Sequence, residues 1–311
     1  MPFSTIISKM KFSLWKVIYT PYYRIKYSIT YPQRKRLNIL NSEETIRYII
    51  DHNCSVSRFG DGEFQMIYHY LNHLSTDSFN VDTFQNYNLY LAEKLLTVLK
   101  SKQDNVLICI PYPFKSSKVY KGYIKTFFER EWLYRKEFII QLNGTELFGD
   151  SCFTRFYMGR KDISNIEGYI KLLQKMWNNR DVIIVEGQQS RLGVGNGLFG
   201  NSKSLKRILC PPTNAFEKYD IILNEIEKVA SDSLLLLALG QTATILSYDL
   251  AMRGFQAIDL GHIDIEYEWF KMKATKKVPV KNKYVNEVQD GRINTRIDDS
   301  VYAEQIISVI E

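Results

Sequence analysis

The chain alternates between short continuous apolar runs and longer segments in which apolar residues recur every three to four positions. Runs typical of buried strands cover 56–59, 105–110, 181–186, 234–239 and 256–260. Helical spacing covers 42–50, 83–100, 119–135, 163–177, 214–230 and 242–253. Buried strands that alternate with helices predict an α/β fold, in which a mainly parallel sheet is covered by helices on both faces.

Some shorter elements are predicted from only a few residues each. Ser42 is predicted to be the N-cap of the first helix, and 138–141 to be a short strand. A short helix is predicted between the glycine-rich loop 187–200 and Pro211, and a closing helix over 301–310. The polar, basic stretch 271–296 is predicted to be a loop or lid.

The positive charge is concentrated at one end of the chain. The net charge is +7, and the first 40 residues carry eight Lys and Arg and no Asp or Glu. The remainder has 41 − 8 = 33 basic and 34 acidic residues, or −1. We therefore predict a basic, aromatic arm over 1–41 and a single α/β domain over 42–311. A nearly neutral body argues against nucleic acid as a partner.

The arm and the cysteines bear on where the protein acts. A basic, aromatic segment suits peripheral contact with an anionic membrane, and the alternative is a helical extension that covers the body. Lys16 and Pro21 interrupt the apolar run that a signal peptide needs. The four cysteines are far apart, without the spacing of a zinc site. We expect a cytoplasmic protein, for which peripheral contact with the inner face of the cell membrane is an open alternative.

Two acidic residues, Asp61 and Glu63, follow the first predicted strand with one glycine between them. In extended or turning backbone, residues two apart point the same way, which predicts that the two carboxylates converge. Such oxygen ligands suit Mg²⁺ or Mn²⁺, with water and substrate phosphates in the remaining positions. Arg58 is a cation that could meet the same phosphates. The alternative is a plain Asp-Gly turn with Glu63 at the start of a helix.

Three other predicted strand ends carry polar residues, and ligands of open α/β sheets collect at such ends. The second end holds Glu186 and Arg191, whose guanidinium suits a diphosphate. The third is the turn 240–242 at a helix N-terminus, which could hold an anion. The fourth holds His262, Asp264 and Glu266 in alternation, which predicts one shared face if the backbone is extended. The alternative is a polar strand edge.

The loop also contains a literal G-x-G-x-x-G over 195–200. A dinucleotide-binding fingerprint lies directly between a strand and a helix. Here nine residues separate the motif from the end of the apolar run at Val185. The match is therefore weak evidence for a dinucleotide site.

Several of these segments, in this order, resemble the GT-D-type glycosyltransferases, a bacterial family once described only as a domain of unknown function. The resemblance runs from about residue 42 to 290 and leaves out the first 40 residues. The segments that carry it are RFGDGE at 58–63, FTRFY at 153–157, VEG at 185–187, SRLGVGN at 190–196, RILCP at 207–211, NAF at 214–216 and AIDLGHIDIEYEW at 257–269.

The resemblance implies a Rossmann-like fold and sugar transfer from a nucleotide sugar, typically a UDP-sugar. It implies a divalent cation, usually Mn²⁺, on an Asp-x-Glu motif that falls on Asp61 and Glu63, with His262 as a further metal or diphosphate contact. The residues expected at the nucleotide sugar are Arg58, Phe59, Gly60, Glu186, Arg191 and Asn196. Asp264 and Glu266 are the candidates, by position, for a catalytic base that activates the acceptor hydroxyl.

The expected acceptor is a glycan, a lipid-linked glycan or a glycoprotein in the synthesis of bacterial surface polysaccharide or glycoprotein. Three alternatives remain open. A Rossmann-type oxidoreductase or methyltransferase would bind its cofactor without metal. A phosphohydrolase would use Asp61 and Glu63 without an acceptor, and it usually needs more ligands for two metals. A non-catalytic basic module would bind through its arm and lose affinity with salt.

Overall fold

The computed structural model describes residues 19–74, 84–142, 146–288, 290–291 and 299–311. Within these residues one sheet has the strand order β3-β2-β1-β7-β6-β4-β5-β8, and every neighbouring pair is parallel. The mainly parallel α/β fold is thereby confirmed. The strands are β1 Ser55–Arg58, β2 Val106–Ile110, β3 Gly149–Asp150, β4 Asp181–Gly187, β5 Ser204–Cys210, β6 Leu234–Ala238, β7 Ala257–Asp259 and β8 Ile306–Val309.

Helices pack on both faces of the sheet because successive strand residues point to opposite sides. Ile183 and Val185 face one apolar cluster, whereas Val182 and Ile184 face the other. Both predicted layers are therefore present. The helices are α1 Ser42–His52, α2 Asp61–Leu71, α3 Leu89–Leu99, α4 Gly122–Gln141, α5 Ile166–Gln174, α6 Tyr219–Val229, α7 Gln241–Met252, α8 Ile263–Lys271 and α9 Ser300–Gln305.

Local predictions based on few residues were the ones that failed. The N-cap of α1 is Asn41 rather than Ser42, because Asn41 and Glu44 form a reciprocal capping box. The predicted strand 138–141 is the last turn of α4. The region 204–210, predicted as part of a helix, is strand β5, and 306–309 of the predicted closing helix is strand β8.

Residues 19–41, the described part of the chain before α1, are packed against the body. Residues 19–29 are helical, and Tyr31–Arg34 form a further short turn of helix. Tyr27, Leu37 and Ile39 belong to the main hydrophobic core. The predicted boundary after residue 41 therefore does not coincide with a break in the packing. Part of the predicted arm, 1–18, lies outside the described residues.

The described helices were also compared with the length of a bilayer. Within the residues given above, no helix combines the length and the apolar character that a membrane crossing requires.

Candidate active site at the carboxyl ends of the strands

The sheet order brings the four polar strand ends together. Strands β1, β7, β6 and β4 are consecutive neighbours and run parallel. Their carboxyl ends therefore form one continuous edge of the sheet, where open α/β proteins bind ligands. The sequence predicted the loops but not this order, which follows from long-range strand pairing.

Arg58 ties this edge together. Its Nη2 is 2.9 Å from Oδ1 of Asp259 at the end of β7. Its Nη1 donates to the backbone oxygen of Ser151 at 3.0 Å and to Oγ1 of Thr154 at 2.8 Å. Asp259 thus already supplies a counter-charge for the Arg58 guanidinium. The Arg58 side chain is partly buried, and its positive charge lies beside this edge of the sheet. Its predicted contact with donor phosphates remains a prediction.

Phe59 and Gly60 connect β1 to α2. Phe59 is fully buried and its ring packs near Phe64, with centroids 6.1 Å apart. Because its side chain lies in the core, any contact of Phe59 with a nucleotide sugar is confined to its backbone. Gly60 is the N-cap residue of α2, and its N–H donates to Oε2 of Glu63 at 2.7 Å.

Asp61 and Glu63 lie in the first turn of α2, not in extended backbone. Because this backbone is helical, the extended geometry from which convergence was predicted is absent, and shared binding of one cation by the two carboxylates remains a prediction. Asp61 is exposed, whereas Glu63 is buried and caps the helix through Gly60. The sequence located the pair correctly at the end of β1, and the charge of Asp61 still acts on the Glu63 carboxylate.

The charge environment of Glu63 fits a cation. The pKa of Glu63 is raised to about 7, chiefly by burial and also by the nearby charges of Asp259 and Asp61, while the hydrogen bond from the Gly60 N–H opposes the shift. A divalent cation would favour the charged form of this carboxylate. Oxygen ligands from Asp61 and Glu63, completed by water and a diphosphate, suit Mg²⁺ or Mn²⁺. Among the described residues, no three His, Cys, Asp or Glu side chains are grouped to hold a metal.

The N-terminus of α7 lies against this pair. A Cβ atom on Gly62 would be 2.3 Å from Nε2 of Gln241, so the Gln241 side chain lies directly against the first turn of α2. Thr244 in the same helix donates from Oγ1 to the backbone oxygen of Arg58 at 2.9 Å. The predicted anion-holding turn 240–242 is therefore adjacent to Asp61 and Glu63.

His262 immediately precedes α8 and contacts two residues that sequence reasoning did not single out. Its Nε2 lies 2.8 Å from Oδ1 of Asn286 and its Nδ1 lies 3.5 Å from Nη2 of Arg155. These partners assign the proton to Nε2, because the amide oxygen accepts and the guanidinium donates. The pKa of His262 is lowered to about 4, chiefly by burial and also by the charge of Arg155. The ring is neutral, and its predicted metal contact is untested.

Asp264 and Glu266 anchor loops. They lie in α8, so the predicted alternation along a strand was wrong. Asp264 accepts from Gly193 N–H at 2.9 Å and from Asn196 Nδ2 at 2.6 Å, and Lys283 Nζ lies 2.6 Å from it.

Glu266 accepts from two backbone N–H groups, those of Tyr157 at 2.9 Å and Met158 at 2.7 Å. Burial raises the pKa of both Asp264 and Glu266. These contacts are those of structural groups, and the role of a base remains a prediction.

Polar contacts with β4 and β5 fix the position of the glycine-rich loop. Glu186 is ion-paired with Arg207 and accepts from Leu192 N–H at 2.7 Å. Arg191 has a left-handed backbone, with φ at 50°, and donates to the backbone oxygen of Asn282 at 2.6 Å.

Asn196 completes this loop by donating to Asp264 and, at 2.7 Å, to Oε1 of Glu268. The contacts of Glu186, Arg191 and Asn196 therefore shape the loop. Their predicted binding of the nucleotide sugar is untested.

A cavity lies on another side of the glycine-rich loop. It has a volume of about 320 Å³ and lies between the glycine-rich loop, the start of β5 and α9, where Gly195, Lys203 and Tyr302 line it. Its lining contains none of Asp61, Glu63 or His262. We place the candidate site at the carboxyl ends because the ionisable groups and the four loops meet there.

The environment of His262 predicts acid sensitivity. Unfolded His takes up a proton near pH 6.5, whereas folded His262 does so only near pH 4. Between these values the unfolded state binds more protons, so stability falls as the pH falls. Acidification from pH 6.5 to 4 should cost on the order of 3 kcal/mol through this residue. In urea unfolding, the free energy of unfolding of His262→Gln should lack this part of the pH dependence.

The exposed His52 at the end of α1 provides the control, since His52→Gln should retain the wild-type slope. Equal slopes in His262→Gln and wild type would contradict the buried, neutral state of His262.

The chain was compared with known proteins at this point. A family model described as "Glycosyltransferase GT-D fold" matches residues 56–288. The chain belongs to the GT-D glycosyltransferase family. The resemblance seen in the sequence is thereby confirmed.

Two solved structures agree with this assignment. One, described as the domain of unknown function 1792 with a distinct glycosyltransferase fold, has a TM-score of 0.83 at 36% identity and covers 92% of this chain and 100% of its own. A new glycosyltransferase from Streptococcus sanguinis has a TM-score of 0.77 at 31% identity and covers 88% of this chain and 100% of its own.

Two curated relatives are longer than this chain. Glycosyltransferase GlyD of Streptococcus pneumoniae serotype 4 (strain ATCC BAA-334 / TIGR4) is 35% identical over 88% of this chain and 33% of its own length. Probable glycosyl transferase Gly of Streptococcus gordonii is 31% identical over 91% of this chain and 40% of its own length. The chain therefore spans well under half of either relative.

Proposed function

We propose that this GT-D chain transfers a sugar from a nucleotide sugar, a UDP-sugar, to a glycan or glycoconjugate acceptor, using Mn²⁺ or Mg²⁺ at Asp61 and Glu63. The observation that carries the proposal is the position of this pair. It lies at the carboxyl end of β1, inside the segment that the GT-D family model matches. An Asp-x-Glu pair in that place fits a metal-assisted donor site.

The charges at this edge suit a departing diphosphate. Sugar transfer leaves negative charge on the nucleoside diphosphate, and a bound divalent cation would stabilise that charge. Arg58 adds a positive charge beside the site, held in place by Asp259. The first turns of α2 and α7 present backbone N–H groups to the same region. Interactions that strengthen as the bond breaks raise the rate more than those formed equally with the substrate.

The proposed acceptor is a glycan, a lipid-linked glycan or a glycoprotein of the bacterial surface, with transfer on the cytoplasmic side. Support comes from the two streptococcal relatives, which are named as glycosyltransferases. Both relatives contain additional sequence, so the acceptor of this chain need not be that of either relative. Nucleic acid is not a proposed partner, because the body outside the first 40 residues is nearly neutral.

Isothermal titration of UDP into the full chain tests the donor site. We expect binding with Mn²⁺ and its loss with EDTA or in Asp61→Ala. Asp220→Ala is the matched control, since Asp220 is also exposed in the first turn of a helix, α6. It should bind UDP as the wild type does.

The same titration separates the alternatives. If UDP, GDP, CMP and dTDP all fail to bind, the proposed donor site is wrong. Binding of NAD or S-adenosylmethionine that is indifferent to metal and to Asp61 would favour a Rossmann-type cofactor enzyme.

A further inference from the structure

In the part of the chain that the structure describes, the helix over residues 19–29 packs on the body by one face. The hydroxyl of Tyr27 donates to the backbone oxygen of Pro113 at 2.7 Å and accepts from Ser117 N–H at 3.0 Å. The guanidinium of Arg34 lies 3.5 Å from the centre of the Tyr27 ring. The hydroxyl of Tyr23, one turn earlier, lies 3.2 Å from that of Tyr134 in α4. This docked face fixes how the helix is oriented on the body.

The opposite face of the same helix is also apolar. Tyr22, Ile25 and Ile29 are 52%, 62% and 69% exposed. Their spacing of three and four residues places them in one stripe of a helix, roughly opposite Tyr23 and Tyr27. A helix that is apolar on two opposite faces normally has a partner on each. In the described residues, the body occupies only one of them.

Positive charge surrounds the exposed stripe. Arg24 and Lys26 lie on the helix itself and Lys35 and Arg36 just after it, and all four are exposed. Arg24 lies 3.9 Å from Glu129 of α4, the one acidic group paired with them in this region of the described chain. The first 40 residues contain no Asp or Glu. The partner should therefore combine negative charge with an apolar interior.

We propose that the stripe of Tyr22, Ile25 and Ile29 binds the surface of an anionic lipid bilayer, with the helix lying in the plane of the interface. Apolar side chains would enter the boundary between head groups and acyl chains, while Lys and Arg contact the head groups. Basic residues near an anionic surface add to the affinity, and salt screens their contribution. Nucleic acid offers the negative charge but no place for two isoleucines, so the bilayer is the better match.

This attachment would orient the enzyme rather than only tether it. The docked face joins the helix to α4 and to the segment 113–117 through Tyr23 and Tyr27. A bilayer bound to the opposite face therefore holds the whole body in one orientation. The inference is independent of sugar transfer, because it concerns binding to lipid and not turnover.

Co-sedimentation with vesicles tests the proposal using the full chain. We expect binding to vesicles of phosphatidylcholine with phosphatidylglycerol and little binding to phosphatidylcholine alone. The double variant Ile25→Asp with Ile29→Asp should weaken binding at least about tenfold, since each change removes the burial of a large apolar side chain. Ile221→Asp on α6 is the matched control, because Ile221 is likewise exposed, at 54%.

A second variant separates charge from apolar contact. Lys35→Gln with Arg36→Gln removes two exposed charges and should weaken binding to anionic vesicles about tenfold or more. Raising the salt from about 0.1 M to about 1 M should weaken wild-type binding, because the screening length falls from about 10 Å to about 3 Å.

Two outcomes overturn the proposal. One is unchanged vesicle binding in the Ile25/Ile29 double variant, with near-native circular dichroism. The other is a wild-type dimer in light scattering that the same substitutions convert to monomer, without lipid binding. The second outcome would assign the stripe to another copy of the chain. UDP titration of the double variant should match wild type, which keeps this result separate from the donor site.

Discussion

Replacement of Arg207 by methionine is expected to lower the free energy of unfolding by about 3–5 kcal/mol. The side chain of Arg207 is 1% exposed and that of its partner Glu186 is 0% exposed. Arg207 also donates to the backbone oxygen of Leu192 and to Oε1 of Gln305, both at 2.8 Å. Methionine fills much of the volume but leaves the Glu186 carboxylate buried without its counter-charge. Urea unfolding followed by circular dichroism measures the loss.

The control for this prediction is a pair of the same chemistry in water. Arg253 lies 2.9 Å from Glu227, and their side chains are 42% and 35% exposed. Arg253→Met should cost less than about 1 kcal/mol, because solvent screens exposed pairs. If Arg207→Met and Arg253→Met were equally stable, the buried pair would not be stabilising the loop.

A double variant identifies the source of the cost. Glu186→Gln retains an acceptor for Leu192 N–H while removing the negative charge. Combined with Arg207→Met, it should recover part of the stability lost in the single variant, because no uncompensated charge is then buried. A double variant no more stable than Arg207→Met alone would contradict this explanation.

The predicted strands β2, β4 and β6 are each built around an uninterrupted apolar run. Strand β6, Leu234–Ala238, is buried between β4 and β7, and each of its residues is apolar. By contrast, β5 includes Lys206 and Arg207, so its apolar run is broken. Arg207 can be buried there only because Glu186 neutralises it from the neighbouring strand. No local sequence pattern predicts an ion-pair partner 21 positions away.

Short apolar runs are ambiguous for a different reason. The run 138–141 fits a strand or a buried helical turn equally well, and length is the only local arbiter. In the structure it extends α4 to Gln141, where Ile139 packs into the core. Tertiary packing therefore decided an assignment that periodicity could not.

For the site, the sequence predicted which residues lie at the strand ends but not how their side chains are oriented. Asp61, Glu63 and His262 were recognised by residue type beside a strand end, and the structure places all three at one edge of the sheet. Their orientation depends on where a helix starts. Because α2 begins at Asp61 and α8 at Ile263, these residues lie on helical rather than extended backbone, and a face shared through strand alternation is ruled out.

The partners of the buried groups come from distant sequence. Lys283 is 4% exposed and lies 2.6 Å from Asp264 and 2.9 Å from Glu268. Asn286 and Glu287 reach His262 and Arg155 from the same stretch. The region 271–296, predicted as a loop or lid, thus includes residues pinned to α8 by buried polar contacts. A lysine in a polar, basic stretch gives no local sign that it will be buried.

Asp61→Asn is expected to lower kcat for donor turnover by about a hundredfold to a thousandfold, the cost of removing one group that stabilises developing charge. The proposed cation would lose a charged oxygen ligand, while the exposed position of Asp61 leaves the fold unaffected. Unfolding free energy should therefore change by no more than about 0.5 kcal/mol. The measurement is hydrolysis or transfer of the UDP-sugar whose nucleotide binds in the titration, with Mn²⁺ varied.

The matched control is Asp220→Asn, at the position that also serves as the control in the UDP titration. Both substitutions remove one negative charge from the exposed first turn of a helix, so both weaken the favourable interaction with the helix dipole equally. Only Asp61 lies at the carboxyl end of β1 beside Glu63. If the two variants lose activity to the same extent, the effect of Asp61 is one of general charge. If Asp61→Asn alone is impaired and high Mn²⁺ partly restores it, the carboxylate acts on the cation.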